Sequence, residues 1–423
     1  MLKGDVNISY SMNLIDRARS TLRKDGIVVL LKKAIGVAFI PRIIYYIGGL
    51  VPTRSNLVLF GAHRGESYRG SPRALYEYFL EKESEVDPVW ITRNGAVYDE
   101  LRTDHKPVVH ARSMRGLLTF VRAQVGCFTH QVYDLSPVLK NSIPSSMKLV
   151  YTTHGRPVKG EHIEKKDSMG NKFRDEHVDI VIATSQFQAE VKRRATMLSE
   201  DQFAVTGYPR NDQIFADEGA PDFDNFEDTV LYAPTHRHHP KLKMEFFPFD
   251  DLDIRALADY LEEQNTLLLV RPHPDVTGRT HVGDEYDKIQ KLFRELTDAT
   301  DHIRIASADK YPDVNNLLRA ADLLVTDYSS IFNDFLLLNR PMVFVPFDYE
   351  TFKRHKGFLY DYYENIPGPA VDTQEELLEA IHEGLNDDPF YEKRAEQREK
   401  IHKYTDDKST KRVAELIEQM VSD

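Results

Sequence analysis

Short apolar runs alternate with longer stretches of helical spacing along most of the chain. The runs are five or six residues long and largely continuous, which is typical of parallel strands buried on both faces. They predict strands at 57–61, 88–92, 125–129, 148–153, 179–184, 229–234, 266–270, 302–306, 322–326 and 341–346. The intervening pattern predicts helices at 71–83, 186–198, 251–264, 284–298, 313–321, 330–339 and 373–385. This alternation indicates an α/β fold with doubly wound parallel sheets.

The strands fall into two sets, separated by a stretch that is poor in apolar residues. Between 213 and 228 the composition shifts to Asp, Glu, Gly, Pro and Asn, as expected of a linker. A length of 423 residues also suits two domains. We therefore predict Rossmann-like domains at 55–212 and 229–388 that face each other across a cleft. The remaining residues, 389–423, predict helices that pack back toward the first domain.

The beginning of the chain differs in charge from the rest. Residues 1–54 contain nine Lys or Arg and three Asp or Glu, a balance of +6, so the remainder carries −12 − 6 = −18. Lys32 and Lys33 interrupt the apolar run in this segment, which therefore falls short of the roughly 20 residues that span a bilayer. The pattern predicts an amphipathic helical arm on a membrane surface, with its cations toward anionic headgroups. A helix buried against the first domain is the alternative.

The overall composition excludes some classes of protein. The net charge of −12 argues against a general nucleic-acid binder, whose binding surface would be basic. Cys127 is the single cysteine, so the chain forms no internal disulfide, which fits a reducing compartment. The segment at the start also lacks a small-residue cleavage site of the secretory kind.

Residues that suit acid–base chemistry follow a strand in the first half. His154 comes directly after the strand at 148–153, with Gly155 beside it and Lys159 nearby. A histidine with a pKa near neutrality can take a proton from a hydroxyl nucleophile. A histidine that merely caps a turn is the alternative. Arg210 and Asn211, in the turn that closes this half, could also reach the cleft, although turn chemistry alone explains their presence.

Residues that suit phosphate binding follow three strands of the second half. Because carboxyl ends of parallel strands share one edge of a sheet, we expect these residues to lie together. An arginine fork and a helix start that offers hydroxyl and N–H groups both bind phosphate. The convergence of Arg271, His273, Ser329 and Ser330 predicts a diphosphate subsite that needs no metal, and Thr235 and Arg237 place a hydroxyl and an arginine after the remaining strand.

A cluster of histidines follows the first strand of the second half. His236, His238 and His239 raise the possibility of a zinc site. No Asp, Glu or Cys sits among them at ligand spacing, so this alternative is weak.

Taken in order, these segments resemble the CDP-glycerol:poly(glycerophosphate) glycerophosphotransferase family. That family includes the teichoic-acid primases and polymerases, and related capsule enzymes that transfer ribitol phosphate. The resemblance covers most of 57–415. It rests on His154-Gly155 with Lys159, Gly207–Asp212, Tyr232–Thr235 with Arg237, Arg271–Pro274, Thr326–Ser330 with Asp334-Phe335, and Arg340-Pro341. Each segment alone would be a weak match, and it is their shared order that carries the resemblance.

The resemblance implies a GT-B fold and transfer of a polyol phosphate from CDP-glycerol or CDP-ribitol to a hydroxyl acceptor, with release of CMP. The acceptor would be a lipid-linked polymer at the cytoplasmic face of the membrane, and no metal or other cofactor is expected. His154 would be the base, and His273 would act beside it. The donor would be held by Arg271, His273, Asp327, Ser329, Ser330, Thr235, Arg237 and Arg412. Gly155, Lys159, Arg210, Asn211 and Asp334 would complete the cleft.

Two other functions remain compatible with this sequence. One is a GT-B glycosyltransferase or epimerase that uses a nucleotide sugar. The other is a non-catalytic scaffold on the membrane that retains only the fold. The sequence leaves open which polyol phosphate is moved and whether one unit or many are added.

Overall fold

A computed structural model describes residues 52–136, 143–153, 169–216, 219–237, 241–273 and 284–422. Nearly all of the predicted arm lies outside these ranges, as do His154, Gly155 and Lys159. Among the helices that the structure describes, none has the length and apolar character needed to cross a membrane.

The first domain is built on a sheet of seven parallel strands in the order β3-β2-β1-β4-β5-β6-β7. In the register of the central strands, Phe60 pairs with Trp90 on one side and Cys127 on the other. The order reverses between β1 and β4, which creates a topological switch point at the carboxyl edge. The strands are β1 (Arg54–Phe60), β2 (Asp87–Thr92), β3 (Val108–His110), β4 (Ala123–Phe128), β5 (Lys148–Tyr151), β6 (Ile180–Ala183) and β7 (Phe203–Val205).

The second domain is built on five parallel strands in the order β10-β9-β8-β11-β12. Its β9 is buried at every position, because helices cover both faces of the sheet. Here the order reverses between β8 and β11. The strands are β8 (Asp228–Tyr232), β9 (Thr266–Val270), β10 (Ile303–Ile305), β11 (Leu323–Thr326) and β12 (Met342–Phe344).

Helices connect the strands, and several begin at a side chain that accepts a backbone N–H. Ser185, Asp253 and Thr373 cap helices in this way. The helices are α1 (Gly70–Glu81), α2 (Gly95–Thr103), α3 (Met114–Arg122), α4 (Met169–His177), α5 (Gln186–Arg194), α6 (Ile254–Glu263), α7 (Asp284–Ala299), α8 (Val314–Ala320), α9 (Ile331–Phe335), α10 (Tyr349–His355), α11 (Tyr362–Asn365), α12 (Gln374–Asn386), α13 (Tyr391–Ile401) and α14 (Ser409–Ser422).

The α/β fold with two parallel sheets is confirmed. The edge strands β3 and β7 were not predicted, because β3 has only two fully buried residues and β7 has none, so neither shows a continuous apolar run. The predicted helix at 330–339 is shorter than expected: α9 ends at Phe335, and a 3-10 turn follows at Leu336–Leu338. Asn339 then adopts a φ of 52°, which stops the helix in the left-handed region.

The end of the chain returns to the first domain. The Thr184 hydroxyl donates to the Ile401 carbonyl at 2.6 Å, and Lys403 N donates to the Thr184 carbonyl at 2.8 Å. Helix α14 then packs its apolar face, including Val413 and Ile417, into the core of the first domain. This crossing holds the two domains together and fixes the cleft between their sheets.

Candidate active site

A cavity of about 360 Å³ lies between the two domains. Its walls include residues that follow central strands at the carboxyl edges of both sheets. His63, Thr129 and Thr153 follow β1, β4 and β5 in the first domain. Pro234, Arg271, His273 and Ser329 follow β8, β9 and β11 in the second. Both switch points therefore open onto one space, which is where α/β proteins bind ligands.

In the first domain, Asp134 organises the cavity wall. Its carboxylate accepts hydrogen bonds from Arg64 N at 2.7 Å, from Thr129 N at 3.0 Å and from His130 N at 2.9 Å. The Thr129 hydroxyl donates to the same carboxylate at 3.0 Å. These bonds support an unusual turn in which His63 and Arg64 have φ angles of 48° and 63°. The turn fixes the imidazole of His63 on the cavity wall.

The imidazole of His63 is neutral at physiological pH. Burial lowers its pKa to about 3, helped by the charges of His130, Arg69 and Arg210. The ring of His130 lies 4.6 Å from that of His63, centroid to centroid. A neutral imidazole carries one acceptor and one donor nitrogen, so His63 can bond either a hydroxyl or a phosphate oxygen.

In the second domain, Arg271 and His273 present nitrogen donors to the cavity. Arg271 Nη1 donates to the Ala306 carbonyl at 2.7 Å. This hydrogen bond does not use the other two guanidinium nitrogens, Nε and Nη2. Burial lowers the pKa of Arg271 to about 10; Asp313 opposes this shift and Arg69 adds to it. The exposed ring of His273 stacks on that of His236, with centroids 4.6 Å apart. Arg271 remains cationic at neutral pH and can meet a phosphate.

The start of α9 contributes one lining residue. Ser329 lines the cavity, and its hydroxyl accepts from Ile331 N at 3.5 Å. Ser330 is the N-cap residue of α9, and its side chain makes no capping hydrogen bond there. The two serines thus lie next to each other at the end of β11, as the sequence predicts for residues that follow one strand.

Arg237 and Asp327 form an ion pair beside the cavity. Arg237 Nη1 contacts Asp327 at 2.6 Å and Nη2 contacts Asp348 at 3.0 Å, with the Arg237 side chain only 1% exposed. Thr235 N donates to Asp327 at 2.8 Å. Burial alone would lower the pKa of Arg237, but the two carboxylates outweigh burial and raise it. This network fixes the loop after β8, and the predicted role of its members in donor binding stays a prediction.

Arg210, Asn211 and Asp334 join the two domains at the back of the cavity. Arg210 Nη2 donates to both oxygens of Asp334, at 2.9 and 2.7 Å, and Asn211 Nδ2 donates to the same carboxylate at 2.9 Å. Asn315 Nδ2 donates to the Arg210 carbonyl at 2.6 Å. Arg210 also lines the cavity, so the contact between the two domains reaches the site itself.

Arg412 lies in the tail, in contact with other tail residues. Its guanidinium pairs with Asp406, donates to the Thr206 carbonyl at 3.2 Å and lies 3.6 Å from the centre of the Tyr404 ring. These contacts hold α14 to the end of β7. The predicted role of Arg412 in donor binding stays a prediction.

His154, Gly155 and Lys159 lie outside the described residues. Thr153, the residue before His154, lines the cavity with a φ of 53°. Among the described residues no group of three or more His, Cys, Asp or Glu could hold a metal ion. His238 and His239 are outside the described ranges, so the zinc alternative stays untested.

Sequence reasoning missed the lining residues His63, Arg69 and Ser71 of the first domain, and Asp134, which supports the turn that carries His63. His63 could have been found by the reasoning that was applied to His154, because both histidines come shortly after a strand: His63 follows β1 and His154 follows β5. Arg69 and Ser71 stand at the start of α1, a position that the sequence explains as ordinary helix initiation. Asp134 gave no signal, because its partners are the Thr129 hydroxyl and backbone N–H groups, and one of these, Arg64 N, lies 70 residues away in the sequence.

The fold and the cavity define an α/β enzyme with a cationic cleft, the class that includes transferases with nucleotide-linked donors. A family model described as CDP-Glycerol:Poly(glycerophosphate) glycerophosphotransferase matches residues 43–419. The chain belongs to this family and is a transferase of the CDP-glycerol glycerophosphotransferase type.

Curated relatives agree with this assignment. Teichoic acid glycerol-phosphate transferase of Staphylococcus aureus (strain NCTC 8325 / PS 47) is 29% identical over 77% of this chain and 83% of its own. Teichoic acid poly(glycerol phosphate) polymerase of Bacillus subtilis (strain 168) is 27% identical over 83% of this chain. That match spans only 48% of the Bacillus protein, so this chain corresponds to about half of it.

Solved structures support the fold. The wall teichoic acid polymerase TagF has a TM-score of 0.66 at 19% identity, covering 96% of this chain and 98% of its own. A putative UDP-N-acetylglucosamine 2-epimerase from Listeria monocytogenes has a TM-score of 0.55 at 14% identity, covering 87% and 97%. The two-domain arrangement is thus shared with enzymes of different chemistry.

Proposed function

We propose that the protein transfers glycerol phosphate or ribitol phosphate from a CDP-polyol to a hydroxyl of a membrane-linked cell-surface glycopolymer, releasing CMP. The observation that carries the proposal is the cavity between the two sheets, with Arg271, His273 and Ser329 on its second-domain wall. In a member of this family, that wall is suited to a donor diphosphate. We also assign the arrangement of the two domains to the GT-B fold.

In the proposed reaction, His154 takes the proton of the acceptor hydroxyl. The acceptor oxygen forms a bond to the phosphorus that carries the polyol. The bond from this phosphorus to the oxygen that bridges the two phosphates breaks, and CMP leaves with that oxygen. Atoms and charge balance without any further reactant, and the proton ends on the histidine.

Stabilisation of the leaving group is assigned to the second-domain wall. Negative charge develops on the oxygens of CMP as the bond breaks, and fixed donors directed at that charge lower the barrier. Arg271 is cationic and held through the Ala306 carbonyl, so little reorganisation is needed when the donor binds. His273, which follows the same strand as Arg271, and Ser329, which follows β11, add further donors. No step of the proposal is assigned to a metal or cofactor.

The arm at 1–54 is proposed to dock the enzyme on the inner face of the cell membrane, near a lipid-linked acceptor. Its charge of +6 and its apolar content support this placement. Sedimentation with anionic vesicles tests it: removal of 1–51 should abolish co-sedimentation, and unchanged co-sedimentation would contradict the placement.

The proposed function is tested with a panel of donors. Purified protein is incubated with an acceptor and with CDP-glycerol, CDP-ribitol or UDP-N-acetylglucosamine, and the released nucleotide is quantified by chromatography. Mass spectrometry of the acceptor resolves how many units are added. We expect CMP from one or both CDP-polyols and mass increments of the matching polyol phosphate. Release of UDP instead would favour the alternative of a nucleotide-sugar enzyme, and no turnover with any donor would favour the scaffold.

A further inference from the structure

Three residues that line the cavity carry buried polar atoms for which the described part of the chain supplies no partner. These atoms are the Thr153 hydroxyl oxygen, Arg210 Nε and Asn315 Oδ1. The side chains of Thr153 and Asn315 are themselves deeply buried, with each residue only 2% exposed. Buried polar atoms in folded proteins nearly always have a hydrogen-bond partner, because burial removes their bonds to water. Three such atoms around one cavity indicate a ligand that completes them.

Other polar atoms of Arg210 and Asn315 are engaged, which fixes the orientation of both side chains. Arg210 Nη2 donates to the two oxygens of Asp334, at 2.9 and 2.7 Å. The charge of Arg210 is thereby balanced, and what it offers a ligand is the Nε–H group. Asn315 Nδ2 donates to the Arg210 carbonyl at 2.6 Å, so the amide oxygen of Asn315 points away from that carbonyl.

The three groups form a strip that runs from the first domain to the second by way of Tyr208. Burial raises the pKa of Tyr208, and Thr153 beside it acts in the opposite direction. The hydroxyls of Thr153 and Tyr208 are thus neighbours, although their distance or angle falls outside the range of a hydrogen bond. The guanidinium of Arg210 lies 5.5 Å from the centre of the same Tyr208 ring. Asn315 continues the strip through its bond to Arg210.

The chemistry of the strip suits hydroxyl groups. Arg210 Nε–H can only donate, Asn315 Oδ1 can only accept, and the Thr153 hydroxyl can do either. A phosphate or carboxylate would satisfy the donor but be repelled by the amide oxygen, and an ammonium group would do the reverse. A hydroxyl donates and accepts at once. Two hydroxyls on adjacent carbons can therefore serve all three groups.

We propose that Thr153, Arg210 and Asn315 bind adjacent hydroxyl groups of the donor's polyol, so that these residues select the polyol that is transferred. This assignment rests on the proposed function and adds polyol recognition to it. The ribose of the donor also carries adjacent hydroxyls. The polyol is favoured because it is bonded to the phosphorus that is attacked, and the proposed base, His154, follows Thr153 directly in the chain. The ribose lies beyond the other phosphate, on the side of the leaving group.

Donors that lack one hydroxyl test the subsite. The CDP-polyol that supports CMP release is compared with an analogue whose polyol lacks the hydroxyl next to the phosphate-bearing carbon. A second analogue is built on 2′-deoxycytidine and lacks a hydroxyl of the ribose. The value of kcat/KM for each donor is measured with the wild type, Thr153→Val, Thr153→Ser, Asn315→Ala and Thr129→Val. Thr129→Val is the matched control, because Thr129 lines the same cavity but its hydroxyl already donates to Asp134.

In the wild type, loss of the polyol hydroxyl leaves buried groups unpaired and should lower kcat/KM about 5- to 150-fold. Thr153→Val and Asn315→Ala should each narrow this preference at least about threefold. Thr153→Ser retains the hydroxyl and should keep the preference, as should Thr129→Val. The inhibition constant of CMP, which carries no polyol, should be the same for Thr153→Val as for the wild type, because the rest of the site is intact.

A wild type that uses both polyol donors equally would overturn the inference, as would variants that lose the same factor with both donors. A preference against the 2′-deoxycytidine donor that Thr153→Val removes would also overturn it, because that result places the ribose at the strip. A wild type that releases CMP from no CDP-polyol would instead overturn the proposed function.

Discussion

Lys192 offers a quantitative test of how burial in the first domain changes the pKa of a lysine, and through it the stability of the protein. It lies on α5, fully buried, with its Nζ 4.7 Å from the centre of the Tyr151 ring and without a hydrogen-bond partner among the described residues. Burial, and then the charge of Arg174, lower its pKa well below the ordinary 10.5, while Asp175 acts in the opposite direction. Lys192→Met keeps the length of the side chain and removes the ionisable group.

The sign of the effect follows from proton linkage. Above its lowered pKa, Lys192 is neutral in the folded protein, while the unfolded chain stays protonated up to about pH 10.5. The unfolded state binds one proton more in this window, so the wild-type free energy of unfolding rises with pH. One proton corresponds to at most about 1.4 kcal/mol per pH unit, or about 2.7 kcal/mol between pH 7 and pH 9. The free energy of unfolding of Lys192→Met lacks this pH-dependent contribution. Over the range from pH 7 to pH 9, it should therefore exceed that of the wild type by the largest amount at pH 7.

Urea unfolding followed by the fluorescence of Trp90 measures the effect. Trp90 is the single tryptophan and is fully buried in the first domain, so its signal reports on the domain that contains Lys192. Both proteins are unfolded at pH 7, 8 and 9, and the difference between their free energies of unfolding is plotted against pH. Lys172→Met, at an exposed position on α4, serves as control and should give a flat plot. A difference for Lys192→Met that does not change with pH would refute the reasoning.

Two further substitutions test the junction between the domains. Asp334→Ala leaves the half-buried Arg210 guanidinium without its carboxylate, which should cost about 1.5–3 kcal/mol of unfolding free energy. An unchanged temperature of thermal unfolding would contradict a stabilising role of the Arg210–Asp334 ion pair. Gly207 has a φ of 82°, and a Cβ there would lie 2.3 Å from the Ser409 hydroxyl. Gly207→Ala should therefore lower the free energy of unfolding in urea by about 1–3 kcal/mol. Gly95→Ala serves as control and should have no measurable effect, because there is open space around Gly95. Equal results for both variants would show that α14 does not pack as described.

The sequence predicted much of the fold because buried parallel strands leave a strong local pattern. β9, for example, is buried at all of its positions and reads as an uninterrupted apolar run. The predicted strands also located Arg271 and Ser329, because residues that directly follow a strand lie at the carboxyl edge of the sheet. The edge strand β7 was not predicted because all of its residues are only partly buried, so it lacks a continuous apolar run.

The pairing of charged side chains could not be predicted in the same way. Arg237 and Asp327 are 90 residues apart, and the sequence presents each as a free group at a strand end. In the fold they neutralise each other, and that depends on the register of β8 against β11. Local pattern thus places residues along an edge, whereas their partners are set by tertiary structure.

The central claim is that the second-domain wall binds the donor diphosphate, and the kinetics of CMP release test it most directly. The initial rate is measured against CDP-glycerol concentration for the wild type, for Arg271→Ala and for Arg304→Ala, whose guanidinium lies over Phe226, away from the cavity. We predict that Arg271→Ala lowers kcat/KM for the donor about 10- to 150-fold, the value of one charged hydrogen bond to phosphate, while Arg304→Ala stays close to the wild type. An unchanged kcat/KM in the Arg271 variant would contradict the account.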